Sequence, residues 1–380
     1  MKPFALFVLG MTVTAAAVSG SQQGGGVGSA QVVPAEFPHF TWAVPPRFEA
    51  AGQFRDGLAP VFVVDHGPGK WGFIDRLGQI VIAPRFEEVD NFSGGVAAVL
   101  PGPETNGRRG YIDSTGAMVI PPQFDLATAF ADGLAHIRIG DEATGKHGFI
   151  DRSGQVVIRA IFDSVAGFSE GLCVIRTGDA ATGLFGYIDK RGKTVIEPKF
   201  VAAGTFRDGL APVRFGDRTT GKWGFINTQG RTVISPQFDG ATAFARGLAT
   251  VRMGDPATGL WGVIDLHGKI VIAPQFRQPP AFVDGLAAVQ IGDDPGGPFG
   301  YIDLQGRIVI RPQFALAGTF GNGLAPVGIM QGETMKWGFI DETGRMVIKP
   351  QFDATRRFDE GLAPACVGDV TTRKCGYISR

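Results

Sequence analysis

The sequence predicts an all-β protein built from tandem repeats, and two observations carry that prediction. A stretch related to Lys-Trp-Gly-Phe-Ile-Asp recurs nine times at a constant interval of 38 residues, without an insertion or a deletion. Beyond the N-terminal segment, short β-branched and aromatic runs alternate with turn residues, and the apolar period of a helix is not seen. A fixed period of this length indicates one repeat array rather than several independent domains.

The first part of the chain has the composition of an export signal followed by a linker. Lys2 precedes an apolar stretch that runs to Val18, and small residues around it offer a cleavage point. We therefore expect residues 1–20 to be a signal peptide, residues 21–41 to be a Gly- and Ser-rich linker with a transitional segment, and residues 42–380 to hold the repeats. This predicts an exported protein, in the periplasm, outside the cell or at its surface, with no membrane span in the mature chain.

One repeat shows the predicted elements in order. Leu210–Phe215 and Lys222–Asn227 are strand-like runs separated by a loop that contains Gly and Thr, which predicts a hairpin. Residues 227–230, with Asn first and Gly fourth, have the pattern of a type I turn, and residues 233–234 begin a third strand. Residues 238–244 fit either a short fourth strand or an irregular turn.

The hairpin also predicts which side chains face each other. If it is symmetric about its loop, the residue nine positions before each Trp position lies across the ladder from it. An arginine over an aromatic face in such a pair stabilises the ladder by roughly several tenths of a kcal/mol. In the last repeat the facing residues are Cys366 and Cys375, for which we expect a disulfide in an oxidising compartment. The other pairs include Arg214 with Trp223, Arg252 with Trp261, Arg176 with Phe185 and Arg138 with His147.

The tryptophan position itself is variable. Four repeats carry it, at Trp71, Trp223, Trp261 and Trp337, and these side chains are the candidates for a ligand-contact stripe. The replacements in the other five repeats are Arg109, His147, Phe185, Phe299 and Cys375. Because five replacements are tolerated, we expect the tryptophan to be half-buried in the repeat and mainly structural.

The recurring pattern resembles the bacterial WG-repeat family from Trp42 to the end of the chain. Pro-x-Phe, Phe-x-x-Gly-Leu-Ala-x-Val and Lys-Trp-Gly-Phe-Ile-Asp recur in register in nearly every repeat. The family is defined by its repeat and has no general activity, so the resemblance implies a fold and not a reaction. A single repeat cannot bury its Phe side chains alone, and stacking on its neighbours completes the core.

Two assemblies provide such stacking. The expected one is an open β-solenoid, because nine blades exceed the usual four to eight of a propeller. The alternative is a closed propeller-like ring. In that case Trp42 and the following residues, which resemble the strand missing after Ile378, would complete the last repeat.

Composition and motifs favour a protein without catalytic chemistry. The net charge is zero, with 36 basic and 36 acidic residues, which does not favour nucleic acid as a partner. One aspartate series falls in the turns and a second in the Gly-Asp loops, with too few carboxylates per loop for calcium. The turn series is Asp75, Asp113, Asp151, Asp189, Asp265, Asp303 and Asp341, and the loop series is Asp141, Asp179, Asp217, Asp255, Asp293 and Asp369. No two histidines have metal-ligand spacing in the sequence, and we expect no catalytic residue, cofactor or metal.

Two functions from different classes remain. The first is a binding or scaffolding module for a protein, a peptide or a cell-wall glycan, because repeat arrays present extended surfaces. The second, less favoured, is an enzyme on a ring that uses irregular residues such as His66, Arg109 and His136.

Overall fold

Each repeat forms a small antiparallel sheet because its runs of β-branched and aromatic residues are cut at fixed intervals by turn residues. A computed structural model describes residues 40–65, 67–291, 296–369 and 371–380. In these residues the repeats form nine sheets, eight of four strands and one of three, which are the blades of a closed β-propeller. The described residues belong to one compact unit, Phe37–Arg380.

The strands follow one another along the chain, except that the N-terminal strand, β1 (Thr41–Phe48), belongs to the last blade. The first three blades contain β2 (Ala50–Ala51), β3 (Ala59–Val63), β4 (Lys70–Ile74), β5 (Ile80–Phe86), β6 (Glu88–Val89), β7 (Val96–Leu100), β8 (Arg109–Asp113), β9 (Met118–Phe124), β10 (Leu126–Ala127), β11 (Ala135–Ile139), β12 (Lys146–Ile150) and β13 (Val156–Phe162). A short 3-10 helix, Pro103–Thr105, lies between β7 and β8. The next three blades contain β14 (Ser164–Ser169), β15 (Leu172–Thr177), β16 (Leu184–Asp189), β17 (Thr194–Phe200), β18 (Ala202–Ala203), β19 (Leu210–Phe215), β20 (Lys222–Asn227), β21 (Thr232–Phe238), β22 (Gly240–Ala241), β23 (Leu248–Met253), β24 (Leu260–Asp265) and β25 (Ile270–Phe276). The last three contain β26 (Leu286–Gln290), β27 (Phe299–Asp303), β28 (Ile308–Phe314), β29 (Leu316–Ala317), β30 (Leu324–Gln331), β31 (Thr334–Asp341), β32 (Met346–Phe352), β33 (Ala354–Thr355), β34 (Leu362–Val367), β35 (Lys374–Ser379) and β1 (Thr41–Phe48).

The glycine that follows the Trp position brings two strands into close contact. A Cβ atom on Gly224 would lie 2.5 Å from the carbonyl oxygen of Ile234 and 2.9 Å from the nitrogen of Pro236, both on the next strand. No larger residue fits there without moving the backbone, and the register of the two strands shifts at this point. The same approach recurs at the equivalent glycine of the other blades, which explains why this residue keeps its place while the tryptophan does not.

The turn predicted after the second strand of the hairpin, which is the third strand of the blade, is present in the first eight blades. In the first blade the amide of Gly78 donates to the carbonyl of Asp75 at 3.0 Å, and Gly78 has a φ of +82°. The carboxylate of Asp75 accepts from the amides of Leu77 and Gln79 at 2.9 and 2.8 Å. The aspartates of this series therefore cap turns, as expected. The segment that was ambiguous in sequence forms a short first strand, such as β22, in most blades.

The chain closes on itself, so the open solenoid expected from the sequence is wrong. β1 pairs with β35 in the sheet that also contains β34 and β33, with Thr41 opposite Ser379 and Trp42 opposite Ile378. The N-terminal strand thus becomes the fourth strand of the ninth blade and covers the edge that β35 would otherwise expose. The closed ring, which was the alternative, is the architecture that forms.

The core lies between neighbouring blades. In eight of the nine blades the third strand of the blade carries an aromatic residue that packs on a phenylalanine from the first segment of the next blade, as in Phe225 with Phe244 at 4.9 Å between ring centroids. The sixth blade has Val263 at this position. Where the third strand carries tyrosine, the hydroxyl of Tyr187 donates to the carbonyl of Gly204 across the interface at 2.8 Å. Each core cluster thus contains residues of two blades, and a single repeat has no core of its own.

The seventh blade is irregular because its first segment contains two prolines. In the sixth blade the amide of Thr242 donates to the carbonyl of Thr250 at 2.9 Å, which pairs the first strand with the second. The equivalent residue of the seventh blade is Pro280, preceded by Pro279, and neither has an amide hydrogen. Its sheet accordingly has three strands, β26, β27 and β28.

The predicted signal peptide and most of the predicted linker lie outside the described residues. Among the helices of the described part, none is long and apolar enough to traverse a bilayer.

Candidate functional site: a charged cleft in the second blade

The second blade breaks the repeat at three positions that lie close together. Glu88 on β6 and Asp90 just after it stand where the other blades have uncharged residues such as Ala50, Gly52 and Ala202, except for Arg356 in the ninth blade. Arg109 on β8 stands at the tryptophan position. Because the other blades stack without these charged groups, their presence at three positions of one blade indicates a role other than stacking.

The three charged side chains form one cluster. The guanidinium of Arg109 forms an ion pair with Glu88, and its second nitrogen Nη1 lies 3.6 Å from Oδ1 of Asp90. The side chains of Arg109 and Glu88 are largely buried, whereas that of Asp90 is 37% exposed. One cation therefore neutralises two carboxylates, and the more exposed carboxylate faces outward.

Burial raises the pKa of Asp90. The charge of Arg109 opposes this shift, and the second carboxylate, Glu88, adds to it. The pKa of the neighbouring Tyr111 is also raised, mainly by burial, and its hydroxyl donates to the carbonyl of Thr128 at 2.8 Å. The protonated form of Asp90, which can donate a hydrogen bond, is thus favoured more than that of a surface aspartate.

Asp90 lines a cleft of about 520 Å³ between the first segments of three blades. Asp56 contributes a carboxylate, one oxygen of which accepts from the amide of Gly95 at 2.9 Å. The hydroxyl of Ser93 donates to the carbonyl of Phe130 at 2.8 Å. The lining residues are Arg55, Asp56, Asp90, Asn91, Phe92, Ser93 and Ala129.

The opposite wall of this cleft is joined to the last blade. Arg55 forms an ion pair with Asp359 at 2.8 Å, which links the first blade to the ninth. The cleft is therefore built on elements that ring closure holds in place, and its polar groups converge on a volume suited to a small ligand or a protruding side chain.

A second depression of about 540 Å³, lined in part by Arg47, Gly78 and Ile80, belongs to the repeat. There Arg47 donates to the carbonyl of Gly78, the same contact that Arg85 makes with Gly116 one blade later. Because this contact recurs, and because no carboxylate that departs from the repeat, as Asp90 does, lines the depression, it is a product of blade stacking and a weaker candidate for a specific site.

The four tryptophans of the predicted stripe lie on the third strands of the first, fifth, sixth and eighth blades, and each is half-buried. Arg252 lies over the ring of Trp261 at 5.7 Å, as the facing-pair argument predicted. Arg214 faces Trp223 in the ladder, but its guanidinium donates to loop carbonyls, including that of Gly221 at 2.8 Å. The loop carbonyls compete for the guanidinium, so the cation–π contact is not a general feature of the repeat.

The aspartates of the Gly-Asp loops are occupied by their own loops. Asp217 accepts from the amides of Thr219 and Thr220 at 2.7 Å and from both hydroxyls, and these hydrogen bonds lower its pKa. Asp293 lies outside the described residues. Groups of three or more His, Cys, Asp or Glu placed to hold a metal ion are not found in the part of the chain that the structure describes.

Of the irregular residues that the sequence singled out, Arg109 belongs to the charged cluster and His136 contacts His147, while His66 lies outside the described residues. Sequence reasoning missed Glu88 and Asp90. Their signal was available, because no other repeat has a carboxylate at either position. Cys366 and Cys375 form a disulfide with a Cα–Cα distance of 4.0 Å. Cys173 is a buried free thiol whose pKa burial raises to about 12.

The nine blades, eight with four strands and one with three, form a closed ring, which places the protein among the β-propellers. The model of the WG containing repeat family matches the chain nine times, and the chain belongs to that family. The matched residues are 38–63, 71–100, 110–142, 148–179, 185–218, 223–255, 261–293, 299–329 and 337–370.

Solved structures resemble the chain in fold at low sequence identity. A structure described as the eukaryotic initiation factor is 12% identical, with a TM-score of 0.55 over 82% of this chain and 89% of that one. Prolyl endopeptidases (10% identity, TM-score 0.43) align over 86% of this chain and 52% of theirs. The Pyrococcus horikoshii acylaminoacyl peptidase (10% identity, TM-score 0.36) aligns over 62% of this chain and 47% of its own. The chain thus spans about half the length of the two peptidases, and these similarities concern the fold alone. Comparison with functionally curated proteins finds no match.

Proposed function

We propose that the protein is an exported, non-catalytic binding module that uses the charged cleft of the second blade to hold a protein, a peptide or a cell-wall glycan. The observation that carries the proposal is the convergence of Glu88, Asp90 and Arg109 on one side of one blade, against the pattern of the other repeats. A closed ring with a fixed period needs no charge there to stack.

The polar groups of the cleft support recognition of a ligand rich in hydrogen-bond donors and acceptors. Asp56 and Asp90 supply carboxyl oxygens and Asn91 supplies an amide, while Arg55 and its partner Asp359 supply a paired charge at the wall. Peptide backbones and glycan hydroxyls both match such groups. The rigid blades hold these side chains in place, which lowers the entropy lost on binding.

The chemistry of the described cleft residues favours binding over catalysis. The hydroxyl of Ser93 donates to a backbone carbonyl and not to a base. The cation of Arg109 is already neutralised by two carboxylates. The raised pKa of Asp90 is a property that general acids share, so an assay for hydrolysis of the captured ligand belongs in the test.

The partner is expected in the cell envelope or outside the cell, because residues 1–20 have the composition of a signal peptide. The zero net charge, with 36 basic and 36 acidic residues, argues for a partner other than nucleic acid.

The test is capture of partners from the envelope fraction of the cells that make the protein, with the wild type and three variants. Asp90→Asn combined with Asn91→Ala changes the cleft, whereas Thr319→Ala changes the position equivalent to Asn91 in the eighth blade. We expect the cleft variant to lose the captured partner with an unchanged melting curve, and the control to keep it.

The third variant separates the cleft from the tryptophan stripe. Trp223→Phe combined with Trp261→Phe introduces the residue that the fourth and seventh blades already have at this position. Loss of the partner in this variant, with retention in the cleft variant, would place the site on the stripe and refute the cleft. Turnover of the captured ligand that disappears with Asp90→Asn would refute the non-catalytic assignment.

A further inference from the structure

The third blade carries two histidines that meet across its ladder. His136 on β11 stands where other blades have residues such as Pro212 or Ala98, and His147 on β12 stands at the tryptophan position. Nε2 of His136 lies 2.6 Å from Nδ1 of His147, and the ring centroids are 4.9 Å apart with 27° between the ring planes. Both departures from the repeat occur in the same blade, and their ring nitrogens point at each other.

We propose that His136 and His147 form a two-imidazole site for a divalent transition metal of the Zn²⁺, Cu²⁺ and Ni²⁺ class. Such ions bind imidazole nitrogen at about 2.0–2.1 Å, which corresponds to roughly 3.3 Å between two nitrogens in tetrahedral geometry. The observed 2.6 Å is shorter by less than an ångström. Small rotations of the two side chains therefore admit the ion in place of the shared proton.

The protonation state of the pair is suited to this role. Burial, the neighbouring His147 and Arg138 lower the pKa of His136 to about 4. Burial, Arg138 and Arg176 lower the pKa of His147 too, against the opposing charge of Asp163. Both imidazoles are thus neutral at pH 7, so the metal does not compete with a second proton. Each side chain is half-buried and still reached by solvent.

The neighbouring charges weaken the binding of any cation, and the nitrogen donors favour some metals over others. The guanidinium groups of Arg138 and Arg176 lie close enough to oppose a cation, and Arg138 is held by its hydrogen bond to the carbonyl of Gly140 at 3.2 Å. A hard ion such as Ca²⁺ or Mg²⁺, which requires several oxygens, gains too little here. Because the described residues contain no cluster of three metal-binding side chains, water or a partner's donor atom completes the coordination shell.

The test is calorimetric titration of the full chain with Zn²⁺, Ni²⁺ and Cu²⁺ at neutral pH, followed by X-ray absorption to count imidazole ligands. His136→Ala and His147→Trp install residues that other blades hold at the same positions, so the blade is expected to keep its fold. The control is His267→Gln, which removes an exposed imidazole in the turn after β24. Thermal melts with and without metal provide a second readout, because an ion that binds only the folded state raises the melting temperature.

The wild type and the His267→Gln variant are expected to bind one equivalent with two imidazole ligands. Each of the other two variants is expected to bind it more than about 100-fold more weakly, beyond the loss that even an outer-shell change causes. Undiminished binding by His147→Trp, or no binding by the wild type, overturns the proposal. The histidine pair shares no residue with the cleft. The result of the metal titration therefore neither supports nor refutes the proposed binding function, which the capture experiment tests.

Discussion

Trp42, at the start of the first strand, packs edge-on against Phe352 of the eighth blade, with 5.8 Å between the ring centroids. Phe40 packs on both rings, at 5.8 Å from Trp42 and 5.3 Å from Phe352. At the other interfaces between neighbouring blades, the turn after the third strand of the blade occupies the position of these aromatic rings. The glycine of that turn contacts the preceding blade, as Gly344 does with Ile310. At the ring closure the two aromatic side chains fill the space instead. They cover Val347, which is 1% exposed, whereas its equivalent Val309 is 45% exposed.

Trp42→Ala is therefore expected to lower the free energy of unfolding by about 2 kcal/mol, less than a fully buried tryptophan because Trp42 is half-buried. Denaturant unfolding measures the change. Leu77→Ala removes an exposed apolar side chain near the neighbouring seam and is expected to change stability by less than about 0.5 kcal/mol. Equal effects of the two substitutions would show that the aromatic seam does not stabilise the ring.

Reduction of the Cys366–Cys375 disulfide is expected to lower the free energy of unfolding by about 2–3 kcal/mol. The closed loop is short, with a sequence separation of 9, so the entropy removed from the unfolded chain is modest. Denaturant unfolding with and without reductant measures the loss. A variant with both Cys366→Ala and Cys375→Ala should not respond to reductant. If it responds as the wild type does, the effect arises elsewhere.

The first segment of the seventh blade is expected to exchange its amide hydrogens faster than the same segment of the sixth. Pro280 cannot make the hydrogen bond that Thr242 makes, and Val263 replaces the aromatic residue that would pack on Phe282. Phe282 is half-buried, whereas Phe244 is fully buried. Hydrogen–deuterium exchange of residues 281–284 against residues 243–246 measures the difference. Equal protection would mean that the missing strand does not loosen the blade.

The histidine pair predicts a loss of stability on mild acidification. The pKa of His136 is about 4 in the folded protein and 6.5 in the reference state. A lowered pKa means that the unfolded chain binds more protons in this window, so the stabilisation is complete above pH 6.5 and lost as the pH falls toward 4. The charged groups that face the pair are Arg138 on its own blade and Arg176 and Asp163 on the next.

The variant with His136→Ala and His147→Trp isolates this contribution, because the carboxylates of the ring titrate in both proteins. We expect the wild type to lose on the order of 2 kcal/mol more than the variant between pH 7 and pH 4. Denaturant midpoints at several pH values measure it. Parallel pH profiles would show that the pair does not titrate as its burial implies.

The local structure of a blade was predictable from the sequence because it depends on neighbouring residues. The facing pair Arg252 and Trp261, the turn at Asp75 and the hairpin register all follow from spacing within one repeat. Ring closure was not, because Thr41 pairs with Ser379 across nearly the whole chain, and a periodic pattern is equally satisfied by an open stack.

The candidate site was only partly predictable, for a related reason. Arg109 and His136 stood out as departures from the repeat, but their partners are fixed by three-dimensional contacts. Glu88 precedes Arg109 by 21 residues, and their ion pair joins non-consecutive strands of the blade. His136 and His147 are diagonal and not directly opposite in the ladder, since Arg138 faces His147. A search of facing pairs alone therefore finds neither contact.

Because β1 from the start of the chain completes the ninth blade, the boundaries of the sequence repeat do not coincide with the boundaries of the blades. Each boundary between two consecutive blades falls inside a matched repeat. The strand that completes the ninth blade comes from the opposite end of the chain. Excision of 38 consecutive interior residues leaves the same two ends to join and creates one new interface between blades, formed by residues at equivalent positions of the repeat. Gene-level loss or duplication of one unit should consequently yield a ring of a different size that still closes. The hydrodynamic radius of such a deletion variant is the direct check.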